Sequence, residues 1–229
     1  MNDSRSTLAF DVYGTLVDPH GMQAHLARFF GAQAKQASEI WRDKQIEYSF
    51  RRALMKRYVD FDACTAQALV YVSEWAGVVL SGVDLEELMA RYRSLPPFPD
   101  AVSAIRELAA RGYHLVAFSN GTENAVRGLL DHAGLLEHFR TVISVDDVKS
   151  FKPDPLVYAH LTERIGQPGS STWLISSNPF DVIGGASYGL RSAWVRREKT
   201  RIFDPWEFSP DLVVGSLLEL PEALESLSC

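Results

Sequence analysis

A short apolar run near the start of the chain, Leu8-Ala9-Phe10, ends on a carboxylate, Asp11, and a glycine-containing turn follows in Val12-Tyr13-Gly14-Thr15-Leu16. Such a run has the pattern of a strand buried on both faces of a parallel sheet. Open α/β sheets bind ligands beyond the carboxyl ends of their strands, beside backbone N–H groups able to hold an anion. A carboxylate at the end of an apolar strand costs stability unless it is paired, so Asp11 reads as a functional group and a candidate nucleophile.

From Gly21 to Leu95 no strand pattern appears, and Leu26, Phe29, Phe30, Ile40, Trp41, Ile46, Phe50, Leu54, Leu69, Val72 and Trp75 fall roughly at helical spacing. The cluster Pro96-Pro97-Phe98-Pro99 stops helix, and an alternating α/β pattern begins. Asp100 is placed to cap a helix running to Arg111, with Gly112 as its stop, and His114 to Ser119 is a strand ending at Asn120-Gly121. A helix over Glu123 to His132, a strand over Thr141 to Ser144 and a helix over Pro155 to Ile165 follow; Thr172 to Ser176, Arg191 to Val195 and Leu212 to Val214 give further strands. The predicted fold is α/β, a Rossmann-like doubly wound, mostly parallel sheet with an inserted all-helical cap. Residues 1–18 plus 97–229 form the expected core domain and residues 19–96 the cap, over the ligand crevice.

With 229 residues the chain can bury a substantial core as one elaborated α/β unit. No apolar run is long enough to cross a bilayer, and the polar start Met1-Asn2-Asp3-Ser4-Arg5-Ser6-Thr7 leads into no signal-peptide core, so a cytoplasmic location is expected. The net charge of −6 comes from scattered acids and bases, which argues against a nucleic-acid track; a small anionic substrate needs a local cationic pocket. Cys64 and Cys229 form neither a disulfide framework nor a zinc set, which suits a reducing compartment.

Three further strand ends join Asp11 in a recurring pattern. Val116-Ala117-Phe118-Ser119-Asn120-Gly121 ends a strand in a small hydroxyl that can donate to an anion; Phe151-Lys152-Pro153 supplies a cation; Leu174-Ile175-Ser176-Ser177-Asn178-Pro179-Phe180-Asp181 closes the set. Together with the first segment, these resemble the four ordered motifs of the haloacid dehalogenase superfamily, in which the lysine sits next to the nucleophile. Phosphatases of that superfamily carry a second Asp two residues after the first and a Gly-Asp before a further acid, and those acids hold Mg²⁺. Here the second position is Tyr13, Ser176 and Ser177 stand where Gly-Asp would be, and only Asp181 remains. Mg²⁺ favours hard oxygen ligands with carboxylates among them, so the site is short of metal charge and no cofactor is expected. Tyr13, with an unperturbed pKa near ~10, is a poor substitute for an acid that must protonate a leaving alkoxide, whereas a halide leaves without a proton.

On these residues the chain resembles the L-2-haloacid dehalogenases, with Tyr in place of the second Asp and a Ser-Ser-Asn-x-x-Asp motif; Trp41-Arg42-Asp43-Lys44-Gln45-Ile46-Glu47-Tyr48 also resembles that group. The resemblance implies that Asp11 attacks the α-carbon of a short 2-haloacid, giving an ester that water then hydrolyses at its carbonyl carbon. Backside displacement inverts the α-carbon, so an L substrate yields a D-2-hydroxy acid. Lys152 is expected to keep Asp11 ionised, with Thr15 and Ser176 positioning it and Tyr158 supporting the Lys152 network. Ser119 and backbone N–H groups of the Asp11 turn are expected to bind the substrate carboxylate, and Arg42, Asn120 and the edge of Phe180 the departing halide. Asn178 and Asp181 are assigned to orienting or deprotonating the hydrolytic water, and Tyr13 and Trp41 to lining the pocket. A homodimer joined through exposed apolar cap residues is the expected assembly.

Each residue taken singly has a plainer explanation. Thr15, Ser119 and Ser176 could satisfy local backbone groups, Arg42 could be a solvated charge with Arg51, Arg52 and Arg57 as rivals, Lys152 a loop residue, and Tyr158 and Phe180 core. Asp18 and His20 read as linker caps, Asp146 and Asp147 as a loop or cap feature, and His25, His114, His132, His138 and His160 lack ligand spacing. Two other functions remain open on sequence: a Mg²⁺-dependent phosphohydrolase of the same fold, and a degenerate, non-catalytic binding protein.

Overall fold

The computed structural model describes residues 6–227; the segment before Ser6, with most of the polar N-terminal stretch, and Cys229 lie outside the described residues. Six strands form one parallel sheet: β1 (Thr7–Phe10), β2 (His114–Ser119), β3 (Thr141–Ser144), β4 (Thr172–Ser176), β5 (Arg191–Val195) and β6 (Leu212–Val214). Their order is β3-β2-β1-β4-β5-β6. β1 is buried along its whole length and pairs with β2 on one side and β4 on the other, Phe10 lying opposite Ala117 and Ile175. Connections leave β1 in opposite directions, so the strand order reverses at the β1–β4 boundary, where doubly wound sheets open a ligand crevice. Asp11, one residue beyond β1, sits at that boundary with its N–H on the Ile175 carbonyl at 2.9 Å.

Helices α5 (Ala101–Ala110), α6 (Glu123–His132), α7 (Pro155–Ile165), α8 (Pro179–Tyr188) and α9 (Leu220–Ser226) accompany the strands. The strands and α6 and α7 match their sequence expectation closely, while α8 and α9 were not foreseen as separate helices. Asp100 departs from expectation. It precedes α5, but its side chain makes no cap bond there and instead meets Arg197, Ser216 and Leu217. A full ion pair outweighs one cap hydrogen bond, which is why the carboxylate turns away from its own helix.

Between β1 and α5 lie four helices and no strand: α1 (Gln23–Phe30), α2 (Ala34–Leu54), α3 (Phe61–Ala76) and α4 (Gly82–Tyr92). Their ends carry local signals: Asp60 caps α3 through the Ala63 N–H at 2.7 Å, Gly77 ends it at φ +65°, and Ser81 with Asp84 forms a capping box on α4. α2 and α3 pack closely, and the Trp41 indole donates to the Thr65 carbonyl at 2.9 Å. Two members of the apolar series fall outside this core: Leu54 at the end of α2 is 85% exposed and Trp75 near the end of α3 is 37% exposed. The chain leaves and re-enters the sheet at one place, where Val17 bridges Pro97, the Asp18 N–H reaches the Pro96 carbonyl and the Phe98 N–H reaches that of Leu16. Asp18 caps the turn at Pro19–Met22, as its sequence position suggested. Among the described residues no helix is long and apolar enough to cross a membrane.

α8 packs on α7 through glycine. A Cβ at Gly184 would collide with the Tyr158 hydroxyl and lie 2.6 Å from Pro153 Cβ, so only the bare backbone fits. Gly184→Ala is therefore expected to lower stability by about 1–3 kcal/mol, read as a drop in the urea midpoint of unfolding.

Candidate active site

Asp11 is nearly enclosed, and its two oxygens have different surroundings. Oδ2 accepts from Thr15 Oγ1 at 2.9 Å, Asn178 Nδ2 at 2.7 Å and, at a longer 3.4 Å, Ser176 Oγ. Among the described residues, Oδ1 accepts only from Lys152 Nζ, at 3.1 Å. The turn after β1 makes this possible: Gly14 adopts φ +89°, a left-handed value that side chains disfavour, and the Thr15, Leu16 and Val17 N–H groups converge on the Val12 carbonyl. Thr15 is thereby folded back over Asp11, and its hydroxyl also accepts from the Ser177 N–H at 2.8 Å, stitching the end of β1 to the end of β4.

Lys152, from the loop after β3, is fully buried and lies between two carboxylates, reaching Asp181 Oδ2 at 2.9 Å as well as Asp11. Its third partner is the Phe118 carbonyl at 2.9 Å, and its own N–H is held by Asn120 Oδ1 at 3.0 Å. Burial alone would weaken the ammonium, but the charges of Asp11 and Asp181 outweigh it and hold its pKa above the ordinary lysine range. Asp181 is also wholly buried; burial raises its carboxyl above the usual range, Lys152 pulls the other way, and the charge of Asp11 adds to burial. Tyr158 donates to Asp181 Oδ1 at 3.0 Å, so it supports the lysine through the carboxylate and not directly.

Arg42 on α2 reaches across to the Tyr13 carbonyl at 3.1 Å, the same oxygen that accepts from Asn178 Nδ2. Its other arm is held by Gln45 Oε1 at 2.7 Å, and Gln45 is fixed by Thr65 and by the Tyr92 hydroxyl. Tyr13 stacks on Tyr92 and tilts against Phe61; burial, with Tyr92 and Asp62 adding, pushes its phenol far above the ordinary value. Phe180, at the first turn of α8, meets Phe50 of α2 edge-on with centroids 5.1 Å apart. A cleft of about 910 Å³ borders this site through Gly14, Arg42, Ser177 and Asn178, while Asp11 and Lys152 lie outside its lining.

Asp11, Thr15, Lys152, Ser176, Asn178, Asp181 and Tyr158 thus form one hydrogen-bonded cluster, with Tyr13 and Arg42 tied to it through Asn178 and Asn120 through Lys152. Ser119 is buried at the end of β2, its Oγ accepting from the Gly121 N–H at 3.2 Å. The Asn178 amide is a direct donor to Asp11, a contact not assigned to it from the sequence. The backbone donors of the turn are narrower than expected too, since the N–H groups of Gly14 to Val17 already meet carbonyls. The residues declined on sequence have ordinary partners, Asp146 with Tyr58 and Lys149, Asp147 with His160 and Arg164; no cluster of three or more His, Cys, Asp or Glu suited to a metal occurs among the described residues. Sequence reasoning missed Gln45, whose signal was its position three residues after Arg42 on one helix face, and Arg197, which no local pattern marks.

A family model for haloacid dehalogenase-like hydrolases matches residues 6–189. An (S)-2-haloacid dehalogenase of Pseudomonas sp. (strain YL) is 34% identical over 96% of this chain and 94% of that protein. Haloacetate dehalogenase H-2 of Moraxella sp. (strain B) is also 34% identical, over 90% of this chain and 92% of its own. Among solved structures, the L-2-haloacid dehalogenase from Xanthobacter autotrophicus with chloropropionic acid covalently bound superposes with a TM-score of 0.93 at 31% identity, covering 97% of this chain and 99% of that one. The chain belongs to the haloacid dehalogenase-like hydrolases and, within them, to the (S)-2-haloacid dehalogenases.

The lysine makes a stability prediction. A group whose pKa is higher in the folded chain stabilises the fold fully below its unfolded pKa, and that contribution is lost as pH rises through the folded value. Urea midpoints of the wild type should therefore fall as pH climbs past the ordinary lysine range. Lys152→Met, which leaves two buried carboxylates uncompensated, should cost about 3–5 kcal/mol at neutral pH and flatten that alkaline fall.

Proposed function

We propose that this chain hydrolyses short L-2-haloacids to D-2-hydroxy acids and halide through a covalent ester on Asp11. The asymmetry of the Asp11 carboxylate carries the reading: three donors fix Oδ2, while Oδ1 meets Lys152 as its one donor among the described residues and keeps a lone pair for attack. The charge between the two acids is an ammonium, and Tyr13 holds its proton too tightly to serve an alkoxide leaving group. The covalent chloropropionic acid adduct in the Xanthobacter autotrophicus structure supports the same course.

Asp11 Oδ1 attacks the α-carbon opposite the halogen; the new C–O bond forms as the carbon–halogen bond breaks, and the electron pair leaves with the halide. Arg42, Asn120 and Phe180 stabilise that ion, where charge grows in the transition state. Ser119 and the N–H groups of Val12 and Tyr13 receive the substrate carboxylate, and Tyr13 shapes the pocket. Lys152 keeps Asp11 ionised, with Thr15, Ser176 and Asn178 orienting it. Water then attacks the ester carbonyl carbon, Asp181 takes its proton, and Tyr158 holds Asp181 in place. Cleavage of the bond between that carbon and Oδ1 sends the electron pair to the leaving oxygen, which takes back the proton held by Asp181; the hydroxy acid departs, its new oxygen in the first turnover the enzyme's own, and Asp11 loses its remaining proton to solvent to become a carboxylate again.

In this reading residues 1–18 plus 97–229 are the core domain and residues 19–96 a cap closing the crevice, supported by the paired crossing at Val17 and Pro97. A cytoplasmic homodimer completes it, supported by apolar side chains on the helical segment that face solvent, Val79 at 95% and Val83 at 74% exposure among them.

With L-2-chloropropionate as substrate, chloride and D-lactate should appear in equal amounts while the D isomer is left intact. Asp11→Asn should lower chloride release by ~10³-fold or more, measured by ion chromatography. In a single turnover in H₂¹⁸O the label should enter the protein at Asp11 and be absent from the lactate; labelled lactate in that first turnover refutes the ester.

A further inference from the structure

Outside the cluster around Asp11, a second charged assembly holds the nucleophile turn. Arg197, two residues past β5, and Asp100, just before α5, form a largely enclosed ion pair in which Nη1 reaches both carboxylate oxygens, at 3.0 and 3.1 Å. Asp100 Oδ2 also accepts from Ser216 Oγ and from the Leu217 N–H, each at 2.8 Å. The carboxylate is thus fixed by two other segments of the core, the stretch after β5 and the stretch after β6. Burial draws the Arg197 guanidinium below its ordinary proton affinity and Asp100 opposes it, as expected of a desolvated charge held by its partner.

The other arm of Arg197 points elsewhere. Nη2 donates to the Thr15 carbonyl at 2.5 Å, and the guanidinium carbon lies 3.7 Å from the centre of the Phe98 ring. Thr15 is the residue whose hydroxyl donates to Asp11 and accepts from Ser177. Phe98 belongs to the returning linker and is hydrogen-bonded to Leu16, the next residue of the same turn. A planar fork can grip two acceptors at fixed separation, which an ammonium cannot do. An ion pair kept only for stability would need Asp100 alone; the second arm sets the main chain of the residue that orients the attacking carboxylate.

We propose that Arg197, anchored by Asp100, is a positioning residue for displacement: by fixing the Thr15 carbonyl it sets the Thr15 hydroxyl and hence the direction of the Asp11 lone pair. The inference rests on the reading of Asp11 as nucleophile. Loss of the grip acts first on Thr15 and attack geometry, while Arg42, Ser119, Asn120 and Phe180 are held by other segments and Val12 and Tyr13 stay tied through Asn178 and the strand, so the loss falls chiefly on kcat and little on KM.

A double-mutant cycle on halide release from L-2-chloropropionate tests it, with Arg197→Lys, Thr15→Val and the pair. Arg197→Lys keeps a cation beside Asp100 but loses the fork; kcat should fall about tenfold with KM within about threefold of wild type. In the Thr15→Val background the same change should cost less than about twofold, because its route to Asp11 is already cut. A wild-type kcat in Arg197→Lys, a loss confined to KM, or the full loss repeated in the Thr15→Val background overturns the proposal. Should Arg197→Lys not fold, Asp100→Asn takes its place in the cycle with the same outcomes. Wild-type protein that releases no halide refutes the reading of the site itself, whereas active wild type with an additive cycle refutes only this inference.

Discussion

The rest of the structure depends on one buried triple, the Lys152 ammonium between the carboxylates of Asp11 and Asp181. Its members come from the end of β1, the loop after β3 and the first turn of α8, and none tolerates that depth alone: an unpaired ion there costs several kcal/mol, ~20 in the idealised limit. Together they leave a net negative charge, met by hydroxyl and amide donors from Thr15, Asn178 and Tyr158. The triple fixes the orientation of Asp11 before any substrate arrives, which is what preorganised catalysis requires.

Sheet order and cap serve that arrangement from opposite sides. The reversal at the β1–β4 boundary opens the crevice, and the Arg42 guanidinium bridges from α2 to the Tyr13 carbonyl, so the helical segment supplies a charge at the point where the sheet supplies the acid. Gln45 and Tyr92 hold Arg42 from within that segment, which commits the helices to one face of the site.

Most of the fold was legible because its signals are local. Strands such as Leu174-Ile175 in β4 and a stop such as Gly112 need only a few neighbours to be read, and the segments ending at Ser119, Lys152 and Asp181 were found where the sheet brings them together. What escaped was set by distant partners. Asp100 looks like a cap until Arg197, nearly a hundred residues on, claims it; the direct bond from Asn178 to Asp11 shows only once the end of β1 lies beside the end of β4. Leu54 and Trp75 fit helical spacing yet face outward, since periodicity marks a stripe and not what covers it.

The paired crossing at Val17 and Pro97 has an architectural consequence. Because the outgoing and returning chains are joined there by hydrogen bonds, the sheet experiences some eighty residues as a single closed loop whose ends are already together. Closure entropy grows only with the logarithm of length, so the inserted helices can be lengthened, shortened or exchanged at little cost to the strands beneath. The scaffold keeps its reactive acid constant while its roof is free to diversify, a division that lets one catalytic floor be refitted for differently shaped molecules.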